Sequence, residues 1–183
     1  MFKKFVDKEN VGSVNQLKSS AQRGMKAKIT EQFPHVDAIW DEVVPKKSGL
    51  KLVKCQDHVE MIANGDTGEI LFFKMRDDIF YPTLKLLHKY PFICPHQQVD
   101  RGAIKFILSG AHIMCPGLTS PGARMSQVNS GQVVAVMAEG KEHAVAVGLM
   151  KMSSDELRTK NKGIGVDNIH YLNDGLWLMK PVR

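Results

Sequence analysis

The sequence predicts an α+β chain of two small domains, the first mixing helices with a short sheet and the second mostly β. Three observations carry that prediction. Apolar residues recur at four-residue steps between Leu17 and Phe33, the spacing of one helix face. Short alternating runs follow, "LKLVKC", "HVEMIA" and "EILFFKM", with the hairpin signal Asn64-Gly65 between the last two. Near residues 90–94, where prolines punctuate the chain, the character changes, dividing a first domain, 1–92, from a second, 93–183. With 183 residues in all, each half is near the lower size for an independent core, so the two are expected to pack together.

Taken in order, "MFKKFVDKEN" reads as a short amphipathic segment. The helix over residues 15–33 aligns Leu17, Ala21, Met25, Ile29 and Phe33, and Pro34 stops it. "VDAIWDEVV" reads as a second, shorter helix ended by Pro45, and "PKKSG" as a loop. Proline suits a first helical turn, so "YPTLKLLHKYPF" reads as a helix starting near Pro82 and ended by Pro91. In the second half, Asp100 can cap a helix over residues 101–109, with Ala103, Ile107 and Leu108 inward and Gly110 as terminator. "HIMCPG" then reads as a strand and "LTSPGA" as a turn. "QVVAVMAEGKEHAVAVGLMKM" is two β runs around Gly140-Lys141. Ser153 and Glu156 form a capping box for a short helix that Gly163 can end, and "IHYLND" and "GLWLM" read as the last strands.

Composition bounds the function. Hydrophobic residues make up 43% of the chain and net charge is +6, which describes a globular, moderately basic protein. Residues 1–91 hold 15 Lys+Arg against 12 Asp+Glu and residues 92–183 hold 10 against 7, so each half is +3. A positive field spread in this way suits a polyanion such as RNA, and it equally suits ordinary lysine-rich solubility. The three cysteines, Cys55, Cys94 and Cys115, lie far apart with no secretory segment before them. Free thiols in a reduced, cytoplasmic protein are therefore expected. The longest apolar runs, such as residues 133–138, are too short to span a bilayer.

Enzyme motifs fail on spacing. A nucleophile elbow needs G-x-S-x-G, whereas Gly117 stands three residues before Ser120. Cys115 has His112 three residues away, which on a strand puts the two on opposite faces. Cys94 and His96 are a lone pair of ligand types, short of the four a structural zinc needs. "EGKEH" lacks the glycine and the hydroxyl of a phosphate loop, and "GIGVDN" lacks the third glycine of a dinucleotide fingerprint. No catalytic residue, metal or cofactor is expected. What remains is backbone chemistry. Gly110, Gly117 and Gly122 let main chain approach another surface, and Arg101 and Lys105 share one helix face. An RNA backbone or plain solvent could meet that face.

"VDRGAIKFILSGAHIMCPGLTSPGA", "VVAVMAEGKEHAVAVG" and "NKGIGVDNIHYLNDGLW" resemble the PUA domain of the malignant T-cell amplified sequence family of translation factors. "MFKKF", "EQFP", "PKK" and "FYPTLKLLHKYPF" resemble that family's preceding domain. The resemblance covers essentially the whole chain. It implies an N-terminal α/β domain on a C-terminal PUA pseudo-β-barrel, in a non-enzymatic, cytoplasmic factor. It further implies a heterodimer with density-regulated protein, binding to small-subunit rRNA and tRNA, and roles in reinitiation and in tRNA release after termination. Carried onto this chain, the RNA face comprises Arg101, Lys105, Gly110, Ala111, His112 and Gly117. Ser120, in a Ser-Pro pair, and Thr83 are candidate phosphorylation targets. The alternatives are a tRNA-docking accessory of an RNA-modification complex and a protein-binding adaptor.

Overall fold

A single turn, α1 (Asp7–Asn10), opens the first compact unit of the computed structural model, which describes residues 1–183. It leads into β1 (Val11–Gln16), then α2 (Ser19–Gln32), a 3-10 turn at Pro34–Ile39 and the short α3 (Trp40–Val43). Four strands complete the unit: β2 (Leu50–Cys55), β3 (Glu60–Asn64), β4 (Ile70–Lys74) and β5 (Phe80–Pro82). They form an antiparallel meander in the order β1-β2-β3-β4-β5. The β3–β4 turn holds because the Asn64 side-chain oxygen accepts the backbone N–H groups of Asp66 (2.9 Å) and Thr67 (3.0 Å). On one face of the sheet Phe33 stacks on Phe72 at 6.0 Å, and on the other Phe73 stacks on its cross-strand partner Tyr81 at 5.3 Å.

The second unit begins with α4 (Leu84–Lys89) and a 3-10 turn at Pro91–Ile93, followed by β6 (His96–Val99). A 3-10 turn at Arg101–Ala103 runs into α5 (Ile104–Ile107), then come β7 (Ile113–Met114), α6 (Pro116–Thr119) and β8 (Arg124–Met125). β9 (Val133–Ala138), β10 (Ala146–Met150), α7 (Ser154–Lys160), β11 (Ile164–Tyr171) and α8 (Gly175–Leu178) finish it. Its six-stranded sheet runs β7-β11-β10-β9-β6-β8, with β6 parallel to β9 and the other pairs antiparallel. Val99, Ile107, Cys115, Val134, Val136, Leu157 and Val166 fill its core.

The termini are interchanged between the units. Met1–Lys4 group with Leu84–Leu178, and Met179–Arg183 group with Phe5–Thr83. Phe2 is 1% exposed, its carbonyl accepts the Gly175 N–H (3.0 Å) and its ring meets His170 edge-on. In the other unit the Val182 N–H donates to the Gly68 carbonyl at 2.9 Å.

Several elements depart from the sequence reading. The helix expected over residues 15–33 starts only at Ser19, because residues 11–16 are drawn out as an edge strand on β2. A bulge between Val11 and Ser13 shifts the alternation there, so the two valines, three apart, are the half-buried positions. Pro82 ends β5 and the helix begins at Leu84. "HIMCPG" pairs as a strand only at Ile113–Met114, and Pro116 opens a helical turn where the end of a strand and then a turn were expected. "GLWLM" is helical, capped by Asp174, whose carboxylate accepts the Trp177 N–H at 2.9 Å. α7 ends in the left-handed conformation of Asn161, two residues before the expected Gly163. Leu108, expected inward, is 36% exposed.

Candidate nucleic-acid interface

Asp100 builds the site. Its carboxylate accepts the Ala103 N–H at 2.9 Å, capping the turn that carries Arg101, Lys105 and Phe106. Gly110 ends that turn at φ +95°, with its N–H on the Ile107 carbonyl and the Ala111 N–H on the Phe106 carbonyl. The chain then enters β7 and turns at Cys115–Pro116 into α6. Between these segments lies a hollow of about 650 Å³, floored by Ala103, Ile107, Ile113 and Ile164 and walled by Phe106, Met114 and Pro116. Phe106 is 56% exposed and Met114 48%. An open, mainly apolar hollow with a few polar groups at its edge has the make-up of a ligand-binding recess.

Three of the six expected contact residues, Ala111, His112 and Gly117, line the hollow. Arg101 and Lys105 stand outside it, both exposed. Lys105 Nζ lies 5.0 Å from the Phe106 ring centroid, and Gly140 passes so close to Arg101 that an added Cβ would meet the guanidinium at 2.8 Å. The Arg101 N–H donates to the Glu139 carboxylate at 3.1 Å, so the β9–β10 turn braces the basic end of the site. Gly110 serves the fold itself, because its left-handed backbone lies against Tyr171, whose ring an added Cβ would meet at 3.4 Å. His112 Nδ1 accepts the Asn168 N–H at 3.0 Å, so the proton of the neutral ring sits on Nε2, a donor for a ligand.

Phe106 and Met114 were missed in the sequence. The helical phase that turns Ala103 and Ile107 inward does point Phe106 outward, and an outward aromatic beside Lys105 is the signal that could have found it. Ser120 lines the hollow and its hydroxyl donates to the Pro116 carbonyl. Thr83 is 4% exposed and donates to the Ile70 carbonyl at 3.0 Å, so this fold offers a kinase no accessible hydroxyl there. Cys115 is wholly buried, as a core thiol, and His112 precedes the strand. Burial pushes the Cys55 thiol up to about 11 and the Cys94 thiol higher still, far from the range of an activated nucleophile. No three His, Cys, Asp or Glu side chains come together in a metal-holding group, and no helix is long and apolar enough to cross a membrane.

Two family models match the chain: a Pre-PUA-like domain over residues 5–91 and a PUA domain over residues 95–172. Malignant T-cell-amplified sequence 1 of Danio rerio is 58% identical over 183 residues, all of both chains, and malignant T-cell-amplified sequence 2 of Homo sapiens is 57% identical over the same span. The homolog from Drosophila melanogaster is 54% identical, again end to end. A PUA domain protein from Aeropyrum pernix, solved as a tartrate complex, aligns over 90% of this chain and 89% of its own, with 25% identity and a TM-score of 0.69. A hypothetical protein from Pyrococcus horikoshii shares the fold over 91% of this chain and 98% of its own, at a TM-score of 0.72 and 24% identity. Matched along its whole length by these relatives at more than half identity, the chain belongs to the malignant T-cell-amplified sequence family.

Proposed function

We propose that the chain is a non-catalytic, cytoplasmic RNA-binding factor of translation, in which the hollow beside Phe106 receives an unpaired stretch of RNA. The observation that carries the reading is the pairing of an exposed aromatic wall with cations at its edge. A base stacks on an aromatic face whatever its sequence, while Arg101 and Lys105 meet the backbone phosphates. Resemblance to that family of translation factors supports extending the reading to a heterodimer with density-regulated protein that binds small-subunit rRNA and tRNA and promotes reinitiation and tRNA release after termination. A phosphate on Ser120, at the rim, would repel the RNA backbone and weaken binding.

Sedimentation of cytosol through sucrose tests this. The chain should travel with small ribosomal subunits, and Arg101→Glu with Lys105→Glu should release it while its far-ultraviolet dichroism stays native. The salt dependence of RNA binding should flatten by about one unit of slope for each phosphate no longer neutralised. Ser120→Glu should shift binding in the same direction. Migration with free tRNA and a modifying enzyme, away from subunits even at low salt, would instead support the tRNA-docking alternative.

A further inference from the structure

A second cluster of rings stands in the same unit and shares no residue with the hollow. His88 on α4 is its centre. Its ring stacks on His143, with centroids 4.9 Å apart and planes 26° apart, and meets Trp177 of α8 at 5.2 Å and 55°. Lys85 Nζ lies 5.6 Å from the Trp177 ring centroid. Three elements distant in sequence therefore converge, with two histidine rings stacked, an indole tilted against them and a cation over the indole.

The rings are held from behind. His88 Nε2 lies 2.8 Å from the Ala144 carbonyl, which can only accept, so that nitrogen carries a proton and the ring is tied to the β9–β10 turn. Trp177 is positioned by its backbone bond to the Asp174 carboxylate, which is itself fully buried. The outer members remain open. The His143 side chain is 56% exposed, Trp177 is half-buried and the adjoining Leu178 is 68% exposed. Lys89 follows His88 in the chain and Lys141 lies two residues before His143, both exposed, with Glu142 as the opposing charge. A closed core has no use for so much open ring area, and a purely apolar protein anchor would not favour three lysines around it.

We propose that His143, His88 and Trp177 form a second RNA contact, a stacking platform for an unpaired base whose flanking phosphates meet Lys85, Lys89 and Lys141. The open face of His143 receives the base, and His88 and Trp177 fix its orientation. Such a platform is tolerant of sequence, because every base has a π-face. It rests on the reading of the chain as an RNA-binding protein and extends it to a second point.

The experiment uses the full-length chain carrying Trp40→Phe, which leaves Trp177 as the single indole of the two in the sequence. Titration with a short single-stranded oligoadenylate should quench its emission in a saturable way. His143→Ala should weaken binding by about 5- to 100-fold, as loss of one aromatic–base stack does, and His143→Tyr should restore it. Phe106→Ala should lower affinity yet leave the Trp177 quench at saturation. If His143→Ala binds the oligonucleotide like the parent while Phe106→Ala does not, the platform is wrong and the hollow stands. Absence of any RNA binding by the parent would remove both. Loss of protein-partner capture in His143→Ala, with RNA affinity unchanged, would reassign the rings to a protein interface and overturn the proposal. Should Trp40→Phe fail to fold, photocrosslinking of thiouridine-containing RNA to the otherwise native chain replaces the quench, and peptides around His143 must carry the crosslink.

Discussion

At the scale of single residues, small polar and conformationally special positions decide more than the cysteines and serines that first draw the eye. Gly110 looks like an opening for ligand, yet its φ of +95° and its closeness to Tyr171 make it the corner on which the wall of the hollow turns. Gly110→Ala should cost about 1–2 kcal/mol, the penalty of forcing a side chain into left-handed backbone, and a urea unfolding curve will measure it. Gly117 differs: an added Cβ would meet only the Ala103 methyl at an ordinary 3.7 Å. That position was legible as a glycine of interest, but not which kind, because backbone angle and neighbour are set by the folded chain.

Among elements, the capped turn at Arg101–Ala103 with α5 is the part of the site the sequence announced most clearly. Asp100 was readable as its cap because a short acidic side chain in that place satisfies an otherwise unpaired N–H. Asp100→Ala should destabilise the chain by about 1 kcal/mol and Asp100→Asn by less, with RNA affinity falling in parallel as Phe106 loses its support. In the first unit, Lys74 of β4 lies 3.4 Å from Glu60 of β3 and 3.2 Å from Asp78. Burial opposes its charge, but the Asp78 hydrogen bond and the Glu60 carboxylate outweigh that and raise its pKa. A folded pKa above the unfolded one gives stability that is complete below about pH 10.4 and is lost as pH rises through the folded value. Lys74→Met should therefore remove an alkaline loss of stability above pH ~10, visible in thermal melts across that range. What the sequence hid at this scale were β1, β5, β6 and α8. Each is short, and each exists because a partner strand or a buried cap supplies bonds that local pattern cannot.

On the scale of the whole molecule, the two family models meet at the expected division near residues 92 and 93, whereas the compact units divide at Thr83–Leu84. α4 and Met1–Lys4 belong with the second unit, and Leu84 donates its N–H to His170 at 3.1 Å inside it. A fragment beginning at residue 84 should melt at a higher temperature than one beginning at residue 93, since the shorter piece leaves that bond and the packing of Leu86 and Leu87 unmade. Phe2→Ala in the full chain should cost about 3–5 kcal/mol, the range for emptying a buried aromatic site, and calorimetry of the full chain can detect it. No charge count or motif foretold this exchange of ends, because it depends on where two termini arrive after folding.

By itself the sequence determined the α+β class, the two-part order, the central hairpins, the family and the basic helical turn beside a glycine exit. Those features rest on local periodicity, capping chemistry and long matched stretches, all of which are properties of neighbours along the chain. Only the tertiary structure decided that Phe106 and Met114 wall an apolar hollow, that Thr83 is shut away, and that His88, His143 and Trp177 meet. The hollow needs Ile164 brought beside Ala103 and Ile113, and the rings join residues 88, 143 and 177, so sheet pairing and core burial had to gather remote segments; of all this, local pattern carried only the outward phase of Phe106.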